Sequence, residues 1–100
     1  MSAVPSSRGD SMPTISRFYG ITILMRFREH PPPHFHVEYG EHSASISIDT
    51  LDLVAGRLPR RVQALVLEWA MMHRPELREN WRLAQARDLP VRIAGLDEEV

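Results

Sequence analysis

Apolar and polar residues alternate in two neighbouring stretches of the chain, residues 34–40 and residues 43–49. A period of two is typical of strands that bury one face, because successive side chains of a strand point to opposite sides. A tight turn at Gly40-Glu41 would pair Tyr39 with His42 and place both apolar sets on the same side of a hairpin. The pattern predicts a sheet with one apolar face that must be covered and one polar face that stays open.

The rest of the chain supplies two earlier strands and a helical cover. Two β-rich runs before the hairpin are joined by a Tyr-Gly dipeptide, which suits a two-residue turn. In the C-terminal half, apolar side chains recur at helical spacing, and Pro75 interrupts them because it lacks the N–H that an unbroken helix uses. We predict an α+β fold, in which two C-terminal helices cover one face of an antiparallel sheet of about four strands. The strands are expected at residues 14–18, 21–28, 34–40 and 43–49, and the helices at residues 59–73 and 76–87, with a break near Pro75.

Length and composition fit a single domain with one core. The chain has 100 residues, of which 43% are hydrophobic, and this leaves no room for a second module. Residues 1–11 are rich in Ser, Pro and Gly and are expected to form a disordered leader. The domain is expected to span residues 12–94, and an acidic tail at residues 95–100 is expected to fray.

Charge and cysteine content remove several function classes. Twelve basic residues, all arginine, nearly balance thirteen acidic ones, so the overall field does not favour nucleic acid or a membrane surface. Without cysteine there is no disulfide or thiolate nucleophile, and a reducing cytoplasm is the expected location. The sequence contains no apolar run near the ~20 residues that span a bilayer.

The least generic feature is a histidine block at the start of the predicted hairpin. Three prolines hold the chain extended between His30 and His34, and alternation then places His34 and His36 on the same face of a strand. Imidazoles two residues apart on a strand suit a divalent transition metal such as zinc, so His30, His34 and His36 are candidate ligands. Glu38 and Asp49 lie near that face, which makes them, with His34 and His36, candidate catalytic groups. Two other interpretations stay open, namely solvated surface histidines and an anion-binding or proton-transfer role.

Arginine and serine residues offer a second kind of site. Arg26 and Arg28 would leave their strand towards the polar face if the two hairpins are adjacent. Together with Ser45 and Ser47 they could form a phosphate-binding surface, although ordinary exposed charges are the simpler interpretation. A second arginine cluster (Arg57, Arg60 and Arg61) surrounds the start of the first predicted helix, where backbone N–H groups attract anions.

From residue 12 to about residue 86, the chain resembles a small bacterial family known as domain of unknown function 4160. The resemblance rests on MPTISRFYG at 12–20, EHPPPHFHV at 29–37, LEWA at 67–70 and ENW at 79–81. It implies strands followed by a helical pair, and genes that often lie beside a second small gene in an arrangement similar to toxin–antitoxin operons. It implies no activity.

We therefore expect a component of a toxin–antitoxin-like gene pair that acts through a small partner protein encoded by a neighbouring gene. Whether the chain would be the toxin or the antitoxin stays open. The alternative is a metal-assisted nuclease or hydrolase that uses the face of His30, His34 and His36. Nucleic acid is a possible but not a favoured partner, and no membrane partner is expected.

Overall fold

The computed structural model describes residues 12–98 as one antiparallel sheet covered by two helices. The leader predicted at residues 1–11 lies outside the described residues, as do residues 99 and 100. The strands follow one another in chain order across the sheet, and each pairs with the next in antiparallel fashion. The elements are β1 (Thr14–Phe18), β2 (Ile21–Leu24), β3 (His34–Tyr39), β4 (His42–Ser47), β5 (Leu53–Arg57), α1 (Arg60–Met72), α2 (Arg74–Gln85) and a 3-10 helix (Leu96–Glu98).

The predicted α+β fold is confirmed, including the register of the central hairpin. Tyr39 lies opposite His42, and His36 lies opposite Ser45, as the alternation predicts. Phe35 and Val37 are fully buried on one face. The alternation predicts the register because both strands bury one face, and a shift of one residue would expose every apolar side chain.

The sheet has five strands rather than about four. None of the four expected strands covers residues 53–57, but β5 adds to the sheet beside β4. Every residue of β5 is exposed, so its sequence lacks the burial pattern from which a strand is recognised. Gly56 has a φ of +80°, and a Cβ there would lie 2.2 Å from the carbonyl oxygen of Ser43. This close approach requires glycine.

The second strand is shorter than predicted, and the residues that follow it include part of the candidate site described below. The chain leaves the ladder after Leu24 instead of continuing to residue 28. Met25 then donates a backbone hydrogen bond to Pro13, and Arg28 donates one to Ala84 in α2. These bonds direct residues 25–33 away from the sheet and return them at the start of β3.

The two helices cover the apolar face of the sheet. The aromatic centre of the core is Trp69 in α1, whose ring lies 5.4 Å from that of Phe18 and 5.9 Å from that of Phe35. The predicted break is present at His73, which separates the helices. The second helix begins at Arg74 rather than at residue 76, because Pro75 falls in the first turn, where its missing N–H has no helical partner to lose.

The C-terminal segment packs against the domain. The backbone N–H of Ile93 donates to Ile15, and the Trp69 indole donates to the carbonyl oxygen of Ala94. Within residues 95–100, for which the sequence predicts fraying, Gly95 is buried and residues 96–98 form the 3-10 helix. Among residues 12–98, no helix has the length and apolar character that crossing a membrane requires.

Candidate metal centre

A carboxylate and two imidazoles meet where the loop between β2 and β3 returns to the sheet. His34 and His36 are the first and third residues of β3, and Glu29 lies in the loop before them. One oxygen of Glu29, Oε1, is 2.8 Å from Nε2 of His36 and 3.4 Å from Nε2 of His34. The three ligand atoms all lie within 4.8 Å of one another. Strand alternation explains the shared direction of the histidines, and the loop accounts for the carboxylate.

Hydrogen bonds to the other ring nitrogens orient both histidines. Nδ1 of His34 is 2.7 Å from the carbonyl oxygen of Pro32. A carbonyl oxygen can only accept, so Nδ1 of His34 carries the hydrogen and Nε2 is left facing the Glu29 carboxylate. Nδ1 of His36 is 3.2 Å from the hydroxyl oxygen of Ser45 on β4. Such bonds to the non-ligating nitrogen are typical of metal-binding histidines.

Glu29, His34 and His36, called the metal group below, are partly enclosed by neighbouring side chains. The exposed fractions of the three side chains are 12% for His34, 16% for His36 and 21% for Glu29. The ring of Trp81 from α2 lies 5.4 Å from the ring of His34. On the side of His34, therefore, α2 shields the three residues from solvent.

The surroundings of Glu29 favour the ionised form of its carboxyl group. Burial raises the pKa of Glu29, but the hydrogen bond from His36 and the electrostatic interactions with His36, His34 and Arg26 outweigh it, so the pKa of this carboxyl lies below its ordinary value. Nε of Arg26 is 3.7 Å from Glu29 Oε1. An ionised carboxylate beside two imidazole nitrogens is a suitable ligand set for zinc and other divalent transition metals.

The two distances from Glu29 to the imidazole nitrogens can be compared with the donor spacing of a tetrahedral site. Ligand atoms bound about 2.0–2.2 Å from a tetrahedral ion are separated by roughly 3.3–3.6 Å. The 3.4 Å between Glu29 and His34 already meets this requirement. The 2.8 Å contact between Glu29 and His36 is a hydrogen bond that would have to lengthen by about half an ångström.

A cleft of about 260 Å³ adjoins the group on the open face of the sheet. His36 belongs to both the group and the cleft lining. The polar residues that line the cleft are Arg26, His36, Glu38, Ser43 and Ser45. Glu38 is exposed on the same strand face as His36, two residues further along β3.

Four residues proposed from the sequence therefore lie together: His34 and His36 in the group, and Arg26 and Glu38 beside it. Ser45 joins them through its contact with His36. The sequence pattern did not identify Glu29 as a candidate ligand, because Glu29 lies in a loop with no periodicity to predict the direction of its side chain. Its place in the EHPPPHFHV segment, directly before the histidine block, was the available signal.

Four other residues proposed from the sequence lie outside this group. His30 is exposed and does not belong to the group of three within residues 12–98. Asp49 forms an ion pair with Arg78 of α2, at 3.4 Å. Ser47 is buried, and its hydroxyl accepts a hydrogen bond from the backbone of the next turn. Arg28 is exposed, with its backbone bonded to α2.

Comparison with known proteins leads to a family. No curated protein and no solved structure matches the chain significantly. The family model described as "Domain of unknown function (DUF4160)" matches residues 20–82, within the range expected from the sequence motifs. It includes the histidine block and most of both helices. Because the match covers well over half of the chain, the protein belongs to the DUF4160 family.

Proposed function

We propose that the protein is a metal-dependent hydrolase whose metal centre is formed by Glu29, His34 and His36. The observation that carries the proposal is the orientation of His34. Its Nδ1–H donates to the Pro32 carbonyl, so in the neutral ring the unprotonated Nε2 lies 3.4 Å from a carboxylate oxygen. Two electron-rich atoms held face to face are stabilised by a cation between them, either a proton or a metal ion.

The residues around the group favour the metal over the proton. A simple His–Glu ion pair needs one imidazole, whereas here two imidazoles converge on the same oxygen of Glu29. Three protein ligands leave one position of a tetrahedral ion open for water. A bound divalent ion would supply a Lewis acid that makes this water a nucleophile near neutral pH. We assign Glu38, in the adjoining cleft, as the base that accepts the proton of the water.

The experiment compares metal-free protein with protein reloaded with zinc, manganese or nickel. Tag-free protein is treated with a chelator, reloaded, and assayed with a phosphate monoester, 4-nitrophenyl phosphate, and with a carboxylic ester, 4-nitrophenyl acetate. We expect hydrolysis of one of these esters only in the loaded protein. His36→Ala should abolish it, and Glu38→Gln should lower kcat by about 10²-fold or more, as expected for a general base.

His42→Ala provides the matched control. His42 is an exposed histidine on the neighbouring strand β4 and lies outside the group, so its loss should leave hydrolysis unchanged. Loaded protein that hydrolyses neither ester would contradict the hydrolase proposal. Equal hydrolysis by the His36→Ala and His42→Ala variants would contradict the assignment of the centre.

A second candidate function, binding to a partner protein, is supported by the edge strand β5, which pairs only with β4 among residues 12–98. β5 is exposed along its whole length, and Leu53 and Val54 are apolar side chains with exposed fractions of 38% and 53%. A groove of about 630 Å³ runs between β5 and α1, lined on its basic side by Arg57 and Arg60. Neither arginine forms an ion pair with any residue between 12 and 98.

An exposed strand edge with an adjacent apolar groove is suited to accept an extended segment of another chain. The occupant we propose is a segment with apolar and acidic side chains, from the small protein encoded by a neighbouring gene that the family resemblance implies. Co-expression of the two genes tests this. Val54→Asp should abolish co-purification, whereas Met71→Asp, on the exposed side of α1, should not. Co-purification that survives Val54→Asp would contradict binding at this edge.

A further inference from the structure

The cleft beside the metal group contains a cationic side chain that is paired with one of the ligands and still largely exposed. Arg26 lines the cleft, and its side chain is 52% exposed. Its Nε lies only 3.7 Å from the Glu29 oxygen that faces both histidines. A substrate in the cleft would therefore meet the arginine and the metal group within a few ångströms of each other.

The other cleft residues limit the position of an anion. Ser43 and Ser45 from β4 supply neutral hydroxyl groups, whereas Glu38 supplies a negative charge. An anionic group is therefore expected at the end of the cleft that Arg26 and His36 share, away from Glu38. With about 260 Å³, the cleft is slightly smaller than typical ligand pockets of about 300–1,000 Å³. It suits one small anionic group with part of the molecule that carries it.

We propose that the substrate is a phosphate ester whose phosphate group binds between Arg26 and the metal centre. This inference rests on the proposed hydrolase function and names its substrate class. The planar guanidinium of arginine matches the oxygen atoms of a phosphate in two-point hydrogen bonding. Two cations a few ångströms apart suit a dianionic group better than a singly charged carboxylate, and they also stabilise the charge that develops during phosphoryl transfer.

The reaction consumes one water per ester bond. The water oxygen forms a bond to phosphorus while the bond from phosphorus to the ester oxygen breaks. Glu38 takes one proton from the water and later releases it to solvent, the departing oxygen takes up one proton from solvent, and the other proton of the water stays with the phosphate product. The products are an alcohol and a phosphate, and no oxidant or reductant is required.

The test measures binding of inorganic phosphate and of zinc separately, by isothermal titration calorimetry. Phosphate is titrated into metal-free and zinc-loaded protein, for the wild type, Arg26→Gln and Arg28→Gln. Arg28 is the matched control, because it is an exposed arginine in the same loop that does not line the cleft. We expect phosphate affinity to fall at least tenfold in Arg26→Gln and to stay unchanged in Arg28→Gln, while each variant still binds one zinc ion per chain.

The outcomes separate this inference from the proposed function. Zinc binding with phosphate affinity that is equal in the wild type and Arg26→Gln overturns the phosphate-ester inference and leaves the metal centre in place. Phosphate binding that depends on Arg26 in a protein that binds no zinc supports the anion site and overturns the metal centre. Equal losses in Arg26→Gln and Arg28→Gln overturn the inference as well, because they point to general charge attraction.

Discussion

Replacing Trp69 with alanine tests whether the two helices are held on the sheet as described. Trp69 is fully buried, and its ring packs against Phe18 and Phe35 of the sheet. Its indole N–H also donates a 2.8 Å hydrogen bond to the carbonyl oxygen of Ala94. Loss of a buried tryptophan side chain costs about 3–5 kcal/mol, and leaving the carbonyl unsatisfied adds about 1 kcal/mol. This is a large part of the roughly 5–15 kcal/mol that stabilises a domain.

Thermal unfolding followed by circular dichroism measures the effect. We expect the Tm of Trp69→Ala to fall by at least about 12 °C, since each kcal/mol shifts the Tm of a domain of this size by about 4–8 °C. Met71→Ala, at an exposed position of the same helix, should change the free energy of unfolding by no more than about 0.5 kcal/mol. A Trp69→Ala variant within about 1 kcal/mol of the wild type would refute the packing described here.

Three further predictions concern an edge strand, a buried amide and a carboxylate. Gly56→Ala should lower the free energy of unfolding by more than about 1 kcal/mol, because φ of Gly56 is +80° and the new Cβ would meet a backbone carbonyl of β4. An unchanged midpoint of urea unfolding would contradict the close packing of β5 on β4. Asn80→Ala should lower the free energy of unfolding by about 2 kcal/mol or more, because the buried side-chain amide of Asn80 donates to the carbonyl oxygen of Val91 and accepts from its N–H. A smaller loss would show that other contacts hold the C-terminal segment. The hydrogen bond from His36 keeps the pKa of Glu29 below its ordinary value of 4.5, so this carboxylate contributes stability that is present above pH 4.5 and is lost as the pH falls through the lowered pKa. The difference in the free energy of unfolding between the wild type and Glu29→Gln should therefore shrink in acid. A difference that stays constant with pH would refute the ion pair.

The fold could be predicted where burial leaves a period in the sequence. The hairpin of β3 and β4 was predicted with its register because each strand has a buried and an open face. The helix break was predicted because Pro75 lacks an N–H. By contrast, β5 is exposed along its length and has no period, and the premature end of β2 at Leu24 depends on bonds to distant residues.

The candidate site could be predicted only in part, for the same reason. Alternation predicts that His34 and His36 share a face, and the structure places them together. Glu29 and His30 are adjacent in the loop, yet only Glu29 reaches the histidines. No local pattern distinguishes them, because the path of the loop depends on bonds to distant residues, namely Met25 to Pro13 and Arg28 to Ala84 of α2.

Zinc titration of the metal-free protein tests the metal centre most directly. Isothermal titration calorimetry should give one zinc ion per chain for the wild type. Glu29→Gln, His34→Ala and His36→Ala should each lose the site while retaining the far-ultraviolet circular dichroism of the fold. His30→Ala should bind zinc like the wild type, because His30 is exposed and lies outside the group of three. Wild-type protein that binds no zinc, or a Glu29→Gln variant that binds it as tightly as His30→Ala does, would contradict the assignment.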